Sequence, residues 1–302
     1  LNVNTTADSN TAVGRSSLAA NTTGASNTAV GRQALENNTT GCINTASVYF
    51  SLDANTTASC NTAVGGCSLY ANTTGQRNIA VGTHSLKANT TGTCNVAVGY
   101  NALDSNTTGH KNEAFGNYAL QANTTGANNT ALGYATLNQN TTADNNVAVG
   151  KNSLKVNTTG TANVAVGAES LLAGTTSLRN TAIGYQTLYT CTTGSDANVA
   201  IGYQTMKLST TGDYNSAIGA YALYSNTTGQ YNTAVGRNAL LTNSTANYNT
   251  AVGSYAGFST TAGISTASNN SFFGYASGYQ NSGNGNSGIG YYTLFNLSLI
   301  HI

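Results

Sequence analysis

Only 6% of the 302 residues are charged and the formal net charge is +1, so no basic stripe exists to neutralise phosphates and nucleic acid is not a partner. Apolar residues come in runs of two or three between Asn, Thr and Gly, far short of the roughly 20 that a spanning helix needs. No membrane insertion is expected in this segment, and its weak charge gives no electrostatic hold on a bilayer.

From Gly14 onward a Gly returns every seventeen residues, at 31, 65, 82, 99, 116, 133, 150, 167 and 184, with Val48 the one break. A period that strict means one small unit copied, and the unit decides the fold. Written N-T-A-V-G-Y-x-A-L-x-x-N-T-T-G-x-x, it fits fifteen copies from Asn10 to Ala251, with one inserted residue between Gly194 and Asn198. Beyond Gly253 the pattern loosens into two echoes at 270–274 and 286–290. The chain therefore divides into regular repeats over 1–253, degenerate repeats over 254–296 and a departure at 297–302. Those last six residues read as translated sequencing adapter and Leu1 opens part-way through a copy, so a piece of a longer reading frame is expected.

Gly at column 5 and usually at column 15, with β-branched Thr and Val between, leaves no window of helix formers. N-T-A-V-G and A-L-x-x-N-T-T read as short strands separated by Gly turns. Each copy is then one coil of an all-β parallel β-solenoid, about seventeen coils and roughly 80 Å long at the usual coil rise. Strand alternation puts columns 2 and 4 on one face and columns 1, 3 and 5 on the other. The expectation is that columns 2 and 4 fill the coil with column 9: Val13, Val30, Val64, Val81 and Val98 opposite Leu18, Leu35, Leu52, Leu69 and Leu86. One Val and one Leu per coil contribute about 3 to 6 kcal/mol before conformational entropy is subtracted, so a lone coil cannot stand and stacking is obligatory. Ala at column 3 in all fifteen copies, from Ala12 to Ala251, would then face outward and need a close neighbour. Either a turn folds over it, or the Ala columns of neighbouring chains meet along a shared axis.

Column 1 is Asn throughout: Asn10, Asn27, Asn44, Asn61, Asn78, Asn95, Asn112, Asn129, Asn146, Asn163, Asn180, Asn198, Asn215, Asn232 and Asn249. With the column 12 asparagines, Asn21 to Asn157, these sit beside turns, where Asn tolerates left-handed backbone and bonds it. Stacked one coil apart, their amides form structural ladders. Column 14 is equally constant: Thr23, Thr40, Thr57, Thr74, Thr91, Thr108, Thr125, Thr142, Thr159, Thr176, Thr193, Thr211, Thr228 and Thr245. An exposed Thr row is a candidate ice-binding surface. The same N-T-T segment spells N-glycosylation sequons, including Asn4, Asn226 and Asn243, although neighbouring glycans would emerge only about 4.8 Å apart.

Catalytic chemistry is thinly represented. The nine acids fall one to a coil or fewer and mostly in different columns, so no carboxylate pair is implied, and enzyme activity is not expected. The five cysteines lack metal-ligand spacing and no cofactor motif is present; Cys42 and Cys60, eighteen apart, become near neighbours that an oxidising compartment would let pair. Column 6 alternates Tyr100, Tyr134, Tyr185 and Tyr203 with Arg15, Arg32, Lys151 and Arg237, a row that either grips sugars or is plain solvated surface. The densest aromatic stretch, Phe258 to Phe295, reads as a cap or as a receptor-binding tip.

At Asn61-Thr62-Ala63-Val64-Gly65 and at Asn95 to Gly99 the chain resembles the head repeats of YadA-type trimeric autotransporter adhesins. It is also similar to the solenoid segments of phage tail fibres, to which the longer unit with N-T-T-G looks closer. The resemblance covers about five of every seventeen residues. It implies a left-handed β-roll, a homotrimer, and an adhesive or receptor-binding role outside the cell toward a surface glycan or protein. An ice-binding solenoid and a self-stacking extracellular filament are the alternatives, the latter because an uncapped solenoid end exposes strand edges.

Overall fold

Each copy of the repeat contributes a strand of three residues, columns 2 to 4, and the remaining fourteen residues turn the chain back to start the next. The computed structural model describes residues 3–258 and 267–296; Leu1 and the tail at 297–302 lie outside them. The described residues form an all-β parallel β-solenoid with seventeen strands and no helix. Two compact units divide it, Leu1–Asn146 and Val147–Ile302. The first carries β1 (Thr11–Val13) to β8 (Thr130–Leu132), the second β9 (Val147–Val149) to β17 (Ser287–Ile289).

Within the first unit neighbouring strands pair parallel and in register at one repeat, Thr11 with Thr28 and Ala12 with Ala29 at the start, Ala114 with Ala131 at the end. In the second unit the inserted residue does not disturb the pairing, since Thr181 meets Val199 and Ala182 meets Ala200. The extra length is taken up in the exposed segment at Gly194, which has open space around it.

The A-L-x-x-N-T-T segment, expected as a second strand, is a chain of turns. The column 9 leucines explain why: all are fully buried or nearly so, yet Leu18, Leu35 and Leu52 take φ of 50°, 52° and 52°. A left-handed Leu costs about 1–2 kcal/mol, which the burial of its side chain, worth about 1.5–3 kcal/mol, offsets. Column 5 is more demanding still. Gly99 has φ of 136°, and a Cβ there would stand 2.6 Å from the backbone of Gly116 on the next coil. Val48, the one non-glycine in that column up to Gly184, is forced to φ 91°.

The expected faces of the strand are reversed. The middle residue, the column 3 Ala, is buried in every strand from β2 (Thr28–Val30) to β15 (Thr250–Val252), while columns 2 and 4 face solvent or are half-buried. Val13, Val30, Val64 and Val81 are exposed by 57%, 40%, 38% and 37%, so the valines do not fill the coil. Ala packs inward, neither beneath an outer turn nor against a second chain. The physical reason is width: a seventeen-residue coil has room for Leu from one side only if the opposite side is small.

The late repeats confirm the pairing of columns 3 and 9 by exchange. In β16 (Ser271–Phe273), Phe272 occupies the Ala position opposite Ala251 and is 2% exposed. Gly278 stands in the same coil where Leu would be, and a Cβ on it would lie 2.4 Å from the Phe272 ring. The same ring lies 3.2 Å from where a Cβ on Gly257 of the preceding coil would stand, so one large residue at column 3 answers Gly at column 9 in two coils.

Polar groups fill the rest of the interior. Asn27 donates its backbone N–H to Asn10 Oδ1 at 2.8 Å and its Nδ2 to the Gly41 carbonyl of its own coil at 2.8 Å. Asn38 donates Nδ2 to that same carbonyl at 3.0 Å and to Asn21 Oδ1 at 2.7 Å. The arrangement recurs coil by coil, as at Asn78, Asn89 and Gly92. Both expected Asn ladders are therefore present and buried. The column 12 ladder is interrupted in the second unit at Gly174, Cys191 and Ser209, then resumes between Asn226 and Asn243 at 3.0 Å.

Side-chain direction is directly testable in β4 (Thr62–Val64). Ala63→Val should overpack the interior and lower stability by about 1–3 kcal/mol, whereas Val64→Thr on the outer face should change it by less than about 0.5 kcal/mol. Urea unfolding of both variants checks this, and the opposite ranking would restore the valine-filled coil.

Candidate binding surfaces

Three surfaces follow from this wiring. The first is the outer face of the strands. In the first unit columns 2 and 4 place Thr11 and Val13, Thr28 and Val30, Thr62 and Val64, Ile79 and Val81, Val96 and Val98 side by side on the sheet, and Glu113 is its one charge. In the second unit Val147, Ile183, Ile218 and Phe273 are among the exposed apolar residues of the corresponding face. The sheet thus carries a sparsely charged strip, mostly of Val, Ile and Thr, where the sequence reading had placed small residues.

The second is the column 14 row. All fourteen threonines, Thr23 to Thr245, are exposed. The preceding column 13 residues use their hydroxyls on the solenoid itself: Thr22 Oγ1 donates to the Thr39 carbonyl at 3.0 Å, and Thr90 to Thr107 at 3.1 Å. Asn226 and Asn243, expected as sequons, have buried carboxamides whose Nδ2 donates to the Gly229 and Ala246 carbonyls at 3.0 and 3.2 Å. A glycan on those nitrogens is incompatible with the folded coil; Asn4 alone of the three is exposed.

The third is a cluster of titratable groups in the first unit, which the sequence reading missed. Glu36 and Asp53 share column 10 on successive coils, followed by Tyr70, Lys87 and Asp104 in the same column. Backbone bonds fix the stack: Ala54 N to Tyr70 O at 3.1 Å, Ala71 N to Lys87 O at 3.0 Å, and Ala88 N to Asp104 O at 2.9 Å. The acids do form a pair. Burial, the neighbouring Glu36 charge and a hydrogen bond with Glu36 push the Asp53 carboxyl up to about 6. Writing the sequence in seventeen-residue rows would have shown the shared column.

Parallel to it runs column 7, with Phe50, Cys67 and His84. A cavity of about 210 Å³ lies between the columns, lined by Phe50, Cys67, Tyr70, His84 and Lys87. A second of about 360 Å³ adjoins Tyr70, Lys87, Asp104 and Ser105. Phe50 holds Tyr70 edge-on at 6.2 Å, and Arg32 lies over the Phe50 ring at 5.2 Å.

Aromatic ladders mark other positions. Tyr100, Tyr118 and Tyr134 alternate edge-to-face at 5.5 and 5.8 Å. In the second unit Tyr214, Tyr231 and Tyr248 stack nearly parallel at 5.1 and 5.2 Å, and Phe258, Tyr279 and Phe295 stack at 4.8 and 4.9 Å. Cys42 and Cys60 lie on adjoining coils, joined by a backbone bond from Cys60 N to Cys42 O at 3.0 Å, and both are free thiols. No protein family matches this chain, and no curated protein matches it.

The Asp53 carboxyl sets a pH dependence. Its folded value lies above the ordinary 3.8, so between about pH 4 and 6 the native state keeps a proton that the unfolded chain releases, and stability falls as pH rises through that window. The thermal midpoint should be higher at pH 4.5 than at pH 7, and Asp53→Asn should reduce the difference; a scan in which the variant keeps the full wild-type slope would assign it elsewhere.

Proposed function

We propose that the chain is a structural and adhesive segment of an extracellular fibre or shaft, of the tail-fibre or cell-surface adhesin kind, which assembles with copies of itself as a homotrimer. It presents repeated surfaces to a receptor and transforms no substrate. The observation that carries this reading is the outer strand face. The sixteen outward side chains of the first unit expose on the order of 800 Å², the share one partner contributes to a standard interface. Nine of the sixteen are Val, Ile, Leu or Phe and the other seven are Thr, Ser and one Glu, a large patch with an apolar majority of the kind that marks an interaction site. With a single Glu in it, two identical copies meet without like-charge repulsion.

Light scattering tests the reading. The protein should run as a discrete trimer, and Val30→Lys with Val64→Lys and Val81→Lys should release monomers with an unchanged circular dichroism spectrum. A wild-type monomer at micromolar concentration would overturn it, and open-ended growth would replace it with the filament reading.

Ice binding remains the second reading, favoured by one observation. Column 14 is exposed in every coil yet never varies, while the largely exposed columns 6 and 17 vary freely. A constant exposed Thr whose neighbours diverge points to an ordered ligand along the row. Purified protein should then show thermal hysteresis that Thr74→Lys, Thr91→Lys and Thr108→Lys abolish; a solution with no hysteresis gap would end this reading.

A further inference from the structure

In a chain with so few charges, five acidic or basic side chains within five successive coils are a departure from the pattern. Glu36, Asp53, His84, Lys87 and Asp104 all stand in columns 7 and 10 of the first unit, and His84, Lys87 and Asp104 line two cavities that share Tyr70 and Lys87. Together these cavities reach the size of small-ligand sites, roughly 300–1,000 Å³. We propose that this groove binds a neutral hexopyranose ring, the end of a surface glycan, stacked on Tyr70 and held by Lys87 and Asp104. The proposal rests on the adhesive reading and names its ligand class.

Four features of the groove select that chemistry. Tyr70 is 39% exposed and braced by Phe50, so an apolar ring face has a flat partner already oriented. Asp104, which lines the second cavity, has a buried Oδ1 without a hydrogen-bond partner. An orphaned buried acceptor is costly, and this one calls for a ligand rich in donors, as a polyol is. Lys87 supplies the complementary donor and repels a cation, while Asp104 beside it in the second cavity disfavours an anion. Burial raises the Cys67 thiol, against the opposing charge of Lys87, so this wall of the groove stays uncharged at neutral pH. The column 6 residue beside Cys67 is Gly66, where a Cβ would fall 2.5 Å from the Tyr49 ring; its absence lets Tyr49 lie across that coil.

Saturation-transfer NMR on the full chain decides the matter, with methyl glucoside, methyl galactoside and N-acetylglucosamine as probes and sialic acid as the charged control. At least one neutral sugar should receive transfer, with a Kd on the order of 1 mM for a single ring, and sialic acid should not. Tyr70→Ala and Asp104→Asn should each weaken binding tenfold or more with an unchanged circular dichroism spectrum; should Tyr70→Ala not fold, Lys87→Met takes its place. Absence of transfer to every neutral sugar, stronger transfer to sialic acid, or binding untouched by these substitutions would overturn the proposal. Oligomer mass keeps the two readings apart: a trimer that binds no sugar removes only the groove, and a monomer that binds sugar removes only the assembly.

Discussion

The buried asparagine amide is the interaction on which the rest of this structure depends. A seventeen-residue coil with three residues of strand has few backbone partners of its own, and its turn carbonyls point inward where water cannot reach them. The column 1 Asn closes each coil by donating to the carbonyl of column 15, and its Oδ1 receives the next coil's N–H. One side chain thus satisfies a turn within the coil and ties that coil to its neighbour. Buried amides left unpaired cost about 1–3 kcal/mol each, so the ladder tolerates no vacancy at column 1, and none of the fifteen copies has one. The tight closure in turn leaves space for only Ala against Leu, which is why the aliphatic residues at columns 2 and 4 lie outside.

Much of this was legible in the sequence. The period, the parallel stacking, the in-register columns, the Asn ladders and the absence of helix all follow from repetition and residue type. Which strand face turns inward did not follow from hydrophobicity, because Val is more apolar than Ala and the rule that apolar residues are buried pointed the wrong way. Variation within the repeat held the answer: column 3 never departs from Ala in fifteen copies, while columns 2 and 4 accept Glu113, Phe115 and Ser47. A packed interior constrains size, and an outer face does not. The left-handed leucines were illegible for a different reason, since Leu is not a residue whose identity signals positive φ; only its burial makes the conformation worthwhile.

The candidate surfaces divide along the same line. The Thr row, built from a constant column, could be located from the sequence once the coil was drawn, whereas the strand face emerged only when its direction was known. The groove at Tyr70 and Lys87 could not be read from constancy, since it consists of departures from the consensus that converge only when column 10 is followed vertically. Repetition supplies the scaffold, and local exceptions to it supply the chemistry.

Near-identical coils carry a hazard that the Phe272 and Gly278 exchange removes. A strand that pairs one whole repeat out of frame would find the same Asn, Ala and Leu partners and lose almost nothing, so a uniform array has many near-degenerate misthreaded states. A coil with Phe where the preceding coil holds Ala251 and the following one Gly288, its ring set against Gly257 and Gly278, has a single place in the stack that accepts it. Misthreading would drive the aromatic ring into a leucine and leave a void at the glycine. The exchange works as a key cut at one end of the array, from which the frame of the other coils in its unit can be counted.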